Sequence, residues 1–141
     1  MKKIRLTALA ALVLLTQGCL PARTPYEMRA SGVAEEVEAN QPYAEVPACL
    51  MAQIDGRPNR RSTYKYPIYH DLHVYRDGGY AELVAKPSVR LKDSPEEFLY
   101  VISIHSRGDA GSVARIYTSP DMMFRGRVVD SLKQAVTKCD R

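Results

Sequence analysis

Two alternating runs of apolar and polar residues meet at Asp77-Gly78-Gly79, and nothing else in the chain restricts its fold as sharply. Before the turn, Leu72, Val74 and Arg76 alternate with His73 and Tyr75. After it, Ala81, Leu83 and Ala85 share one face of residues 80–85. A period of two sends successive side chains to opposite faces of a strand. Asp-Gly between two such runs is the strongest short-range hairpin signal.

More strands follow. Residues 96–105 contain Phe98-Leu99-Tyr100-Val101-Ile102-Ser103-Ile104, apolar at nearly every position and rich in β-branched and aromatic residues. Such a run suits a central strand, covered on at least one face. Arg107-Gly108-Asp109-Ala110-Gly111 makes a turn, and residues 112–118, with Val113, Ile116 and Tyr117, form another strand. Ser119-Pro120-Asp121 then introduces the clearest helix of the chain. Phe124, Val128, Leu132, Ala135 and Cys139 recur at helical spacing along one stripe, with Arg125, Arg127, Asp130, Lys133 and Lys138 off it. Lys138 and Arg141 also suit the negative end of the helix dipole. At the other end of the domain, Pro47 fits a first helical position, residues 48–54 continue it, and Asp55-Gly56 stops it. The expectation is an α+β domain over residues 47–141: a helix, an antiparallel meander of about four strands and a C-terminal helix, both helices on one face of the sheet. The other face, where Tyr, Arg and His stand between the apolar residues, is expected to be wetter. Some 95 residues suffice for one modest core.

The N-terminus has a different character. Met1-Lys2-Lys3-Ile4-Arg5 is basic, residues 6–15 are apolar and uncharged, and Leu15-Thr16-Gln17-Gly18-Cys19 follows. A positive start, a short apolar core and a small residue before a cleavage point mark a secretory signal. Ten to twelve apolar residues are too few to span a bilayer, which takes about twenty. With Gly18 directly before Cys19, the stretch resembles the signal peptide of bacterial lipoproteins, whose lipobox ends in a small residue and a lipid-modified cysteine. Thr16 stands where leucine is commonest in that pattern. The resemblance implies removal of residues 1–18, diacylglyceryl transfer to the Cys19 thiol and acylation of its new amino group. Two or more chains, at about 0.8 kcal/mol per buried CH₂, give stable attachment where one gives only marginal binding. Leu20 after the anchor, in place of Asp, implies by the same resemblance the periplasmic face of the outer membrane.

Cleavage alters the charge argument. The chain has 20 basic and 16 acidic residues. Lys2, Lys3 and Arg5 leave with the signal, so 17 basic residues face 16 acidic ones, a net +1. The basic balance is then mostly a targeting feature, and no nucleic-acid partner is expected. Residues 20–46 hold Pro21, Pro25 and Pro42, the small residues Ala30-Ser31-Gly32 and the acidic group Glu35-Glu36-Val37-Glu38. With few large apolar groups to bury, residues 19–46 are expected to be a lipidated cysteine and a flexible acidic tether. A coil of this length reaches about 30 Å, with room for a short helix at 34–39.

If lipid occupies Cys19, Cys49 and Cys139 remain as an even pair in an oxidising compartment. One bond between them would join the two predicted helices and close a loop of about ninety residues. The rival arrangement is two buried free thiols, or pairing with another chain.

The remaining chemistry is sparse. His70-Asp71-Leu72-His73 matches neither zinc-finger nor zincin spacing, and on a strand His70 and His73 point to opposite faces. His105 can join one of them only through the fold. Glu96 and Glu97 would face apart on a strand. The serines carry no nucleophile-elbow motif, and Asp77-Gly78-Gly79 lacks the spacing of a phosphate-cradling loop. No metal, cofactor or catalytic activity is expected. Arg57, Arg60, Arg61 and Lys65, with Tyr64 and Tyr66, are the candidate anion-binding residues, suited to a phosphate-bearing or acidic envelope partner, protein or glycan; a solvated charged loop is the plainer reading. The expected function is that of a non-catalytic accessory or interaction module of the cell envelope. The alternatives are an inhibitor or immunity lipoprotein blocking a toxin or cell-wall hydrolase, and an enzyme built on His70, His73 or His105.

Overall fold

A computed structural model describes residues 24–55, 68–87, 98–119, 122 and 125–140. The expected α+β domain is present. Helix α1 is Pro25–Ala30, strand β1 Glu35–Ala39, helix α2 Val46–Asp55, strands β2 Ile68–Tyr75, β3 Tyr80–Pro87, β4 Tyr100–Ser106 and β5 Ser112–Thr118, and helix α3 Arg125–Lys138. The sheet is fully antiparallel in the order β1-β5-β4-β3-β2. The hairpin forms as expected. Tyr75 pairs with Tyr80 and the four residues between them turn the chain, with Gly79 at φ +64°, a conformation costly for residues with a Cβ.

The expected central strand is central. β4 lies between β3 and β5, and Tyr100 through Ile104 are buried on both faces. On one face, Leu83, Ala85, Ile102, Ile104, Ala114 and Ile116 meet Leu50 of α2 and Leu132, Ala135 and Val136 of α3. The helical stripe expected from sequence therefore faces the sheet, with its centre shifted: Val129 and Val136 are buried and Val128 is at the margin. Cys49 and Cys139 are bonded, with Cα atoms 5.7 Å apart, so α2 and the end of α3 are joined over this face.

Residues 24–46 differ from expectation. Much of the stretch assigned to a flexible tether belongs to the domain. Thr24 caps α1 in a capping box: its hydroxyl accepts from Glu27 N–H at 3.1 Å, and the Glu27 carboxylate accepts from Thr24 N–H at 2.8 Å. Pro25 follows at a position where a missing N–H costs nothing. Met28, fully buried, rests on Val84, Val101 and Tyr117 on the sheet face opposite α2 and α3. Burying a methionine side chain contributes about 1.5–3 kcal/mol, which a disordered tether forgoes. Residues 35–39 are the fifth strand, and the short helix considered there does not form. Val37 and Ala39 face the core, Glu35 sits at its margin on the same face, Glu36 and Glu38 lie on the opposite face, and each acid meets a cation. Glu35 meets Lys133 at 2.9 Å, Glu36 meets Arg115 at 3.0 Å, and Glu38 meets Arg107 at 2.8 Å. Each exposed pair contributes little alone, but together they give every acid of the run an opposite charge. Beyond β1, Asn40 receives a bidentate tie from Asp140: its backbone N–H donates to Oδ1 and its Nδ2 to Oδ2.

Candidate functional site

The register sorts the polar residues by face. On the face away from α2 and α3, the row nearest the hairpin runs Tyr75, Tyr80, His105, Val113 across β2 to β5. The next row runs His73, Glu82, Ser103, Arg115, Glu36. The third holds Val84, Val101 and Tyr117, and α1 covers it through Met28.

In the first row three rings stack across three strands. Tyr75 and Tyr80 lie 4.5 Å apart between centroids, and Tyr80 and His105 lie 5.5 Å apart, each pair at an interplanar angle of 18°. Cross-strand aromatic pairs of this kind stabilise a sheet and fix side-chain positions. His73 joins at the edge, 6.3 Å from Tyr75. In the second row Glu82 is the hub. Its carboxylate accepts from Ser103 Oγ at 3.2 Å and pairs with Arg29 of α1. Burial holds the His105 imidazole below its ordinary value of 6.5; the nearby Arg115 guanidinium lowers it further, and Glu82 opposes both. The shift favours the neutral ring, in which one nitrogen donates and the other accepts.

The histidines separate as strand geometry requires. His70 lies on the helix side, its Nε2 2.6 Å from the Tyr100 hydroxyl. His73 and His105 lie on the opposite face, and β3 runs between their strands with Tyr80 and Glu82. The fold therefore brings His105 to the side of His73, a point open in the sequence. Ser103, two residues from His105 on the same face, is buried and its hydroxyl donates a hydrogen bond to Glu82. Among the described residues no three His, Cys, Asp or Glu side chains are grouped to hold a metal ion. None of the described helices is long and apolar enough to cross a membrane. Cys19 and the basic residues Arg57, Arg60, Arg61 and Lys65 lie outside the described residues.

The aromatic row was not a candidate from sequence, although its parts were in view. Tyr75 and Tyr80 flank the Asp-Gly turn symmetrically, so any hairpin closed there sets them side by side. His105 joins only once β4 pairs with β3. Comparison of the chain with protein-family models, with curated proteins and with solved structures finds no match.

Proposed function

We propose that the protein is a lipid-anchored module of the bacterial envelope, held at the periplasmic face of the outer membrane by Cys19 and acting by binding rather than by catalysis. The observation that carries this reading is the Cys49–Cys139 bond. Disulfides persist in oxidising compartments and are rare in the cytosol, so a structural disulfide agrees with an export signal at residues 1–18. The resemblance of Leu15-Thr16-Gln17-Gly18-Cys19 to a lipobox supplies the anchor. α1 begins at Pro25, so only residues 20–24 separate Cys19 from the first helix. Five residues reach at most about 18 Å when fully extended, and the domain is held close against the bilayer instead of on a long leash. The interaction surface is the uncovered part of the sheet face around Tyr75, Tyr80 and His105, with a protein or glycan of the envelope as the partner.

Fractionation of cells expressing the full chain and its Cys19→Ser variant tests the anchor. The wild-type chain goes to the outer membrane and incorporates a clickable fatty acid, whereas the variant does neither. Equal labelling of both chains, or a wild-type chain released with the soluble periplasm, would overturn the proposal.

A further inference from the structure

The sheet ends on β2, and no described strand pairs with its outer edge. Strand hydrogen bonds alternate in direction, and one bond fixes the phase. Ser106 N–H donates to Gly79 C=O at 2.8 Å, which turns the backbone groups of Ala81 and Leu83 toward β4 and those of Tyr80, Glu82 and Val84 toward β2. Tyr75, His73 and Asp71 meet these three, so the N–H and C=O groups of Leu72 and Val74 point outward along the edge. The side chains are open as well: Tyr69 is 60% exposed, Val74 42%, Tyr75 41% and Leu72 37%. Proteins usually blunt a sheet edge with lysine, proline, a bulge or a short strand. β2 has none of these over eight residues in unbroken register with β3.

We propose that β2 is a dimerisation strand: two copies of the chain join edge to edge, antiparallel, about a two-fold axis through Leu72. The sequence of β2 is what selects a second copy. Residues directly opposite in an antiparallel pair share a face, which leaves two symmetric registers of greatest length within the strand. Centred on Asp71, the pairing sets Asp71 against Asp71 of the second copy, two carboxylates that each already hold Lys86 of their own chain and gain no opposite partner across the axis. Centred on Leu72, it sets Leu72 on Leu72, His70 on Val74, Asp71 on His73 and Tyr69 on Tyr75. Leu72, Tyr69 and Tyr75 then each gain a partner of their own kind, Val74 packs on the His70 ring, and the Asp71 carboxylate meets the His73 imidazole. The outward groups of Leu72 form the central hydrogen-bonded pair. The surface buried by one strand pair is small, so the dimer is of the weak class, favoured where copies are crowded. The proposal does not depend on lipid at Cys19.

Cysteine crosslinking in the purified full chain, kept in detergent, is the test. Opposed Cα atoms in a hydrogen-bonded antiparallel pair are about 5.5 Å apart, within disulfide reach. Mild oxidation should convert most of Leu72→Cys to a covalent dimer. Tyr69→Cys should not link, although it is more exposed, because its counterpart lies about 20 Å away, six residues along the strand. The wild-type chain, which keeps Cys19, is the blank. Equal linking by both variants, or none by either, overturns the proposal. The double variant Tyr69→Cys, Tyr75→Cys should link between copies and lose that link when Leu72→Lys is added, which apposes two ammonium groups at the axis; a link that survives Leu72→Lys overturns it as well. So does capture of Leu72→Cys by a foreign protein in place of a second copy when the oxidation is repeated in whole cells.

Discussion

Reducing the Cys49–Cys139 bond should cost the domain a large part of its stability. The bond spans 90 residues, and in the chain-entropy model a loop of that length restricts the unfolded chain by about 4–5 kcal/mol at 25 °C. A domain of this size is stable by only about 5–15 kcal/mol in total. The native state loses little packing on reduction, because both thiols stay in place, Cys139 2% exposed within the core and Cys49 packed against it. At about 4 °C per kcal/mol for a chain of this length, the melting temperature should fall by about 15–20 °C. Thermal melts by circular dichroism, with and without reductant, measure this directly. The double variant Cys49→Ala, Cys139→Ala should fall at least as far, since it also removes the buried sulfur of Cys139. Reduced and oxidised chains that melt within about 4 °C of each other would refute the loop argument. A fall seen only in the alanine variant would assign the effect to packing.

Three further outcomes follow from the fold. Met28→Ala should cost about 2–4 kcal/mol, because the side chain is fully buried against Val84, Val101 and Tyr117; a cost below 0.5 kcal/mol in urea titration, the level of a surface change, would return α1 to the tether. Gly111→Ala should cost at least about 2 kcal/mol, since φ is +96° and an added Cβ would stand 2.2 Å from the Ala39 carbonyl oxygen. Gly108→Ala, at φ +65° with open space around it, should cost only about 1 kcal/mol, and equal losses from the two in the same titration would contradict the placement of β1 against that turn. His105 makes stability pH-dependent. Its folded value lies below its unfolded one, so the unfolded chain binds the extra proton. The contribution is complete above the unfolded value of 6.5 and is lost as pH falls through it toward the folded value. His105→Gln should flatten the change in melting temperature between neutral and mildly acidic pH, and an unchanged slope would show that another group carries it.

The hairpin, the central strand, β5 and the C-terminal helix were legible in sequence because each announces itself locally. Asp77-Gly78 sits between period-two runs, and residues 98–104 are apolar on both faces. Leu132, Ala135 and Cys139 keep helical spacing. The N-terminal third was harder because its stabilisation is non-local. β1 offers only Val37 and Ala39 to the core, and Glu35, Glu36 and Glu38 are acceptable only once Lys133, Arg115 and Arg107 arrive from distant parts of the chain. α1 did carry a local signal. Thr24-Pro25-Tyr26-Glu27 has the Ser/Thr-x-x-Glu form of a capping box with proline at the first helical position. Its single anchoring methionine was outweighed by the polar composition around it. The candidate site divides in the same way. Strand alternation separates His70 from His73 at once, while the stack of Tyr75, Tyr80 and His105 needs the order of three strands.

The central claim is that a compact disulfide-bonded domain hangs from lipid at Cys19 with almost no spacer. Mass spectrometry of the mature N-terminal peptide, from protein extracted from its native membranes, tests it most directly. The expected chain begins at Cys19, carries the mass of a diacylglyceryl group and an amide-linked acyl chain, and continues unmodified through Leu20 into α1. A chain that retains residues 1–18, or one that begins elsewhere with an unmodified Cys19, would contradict it.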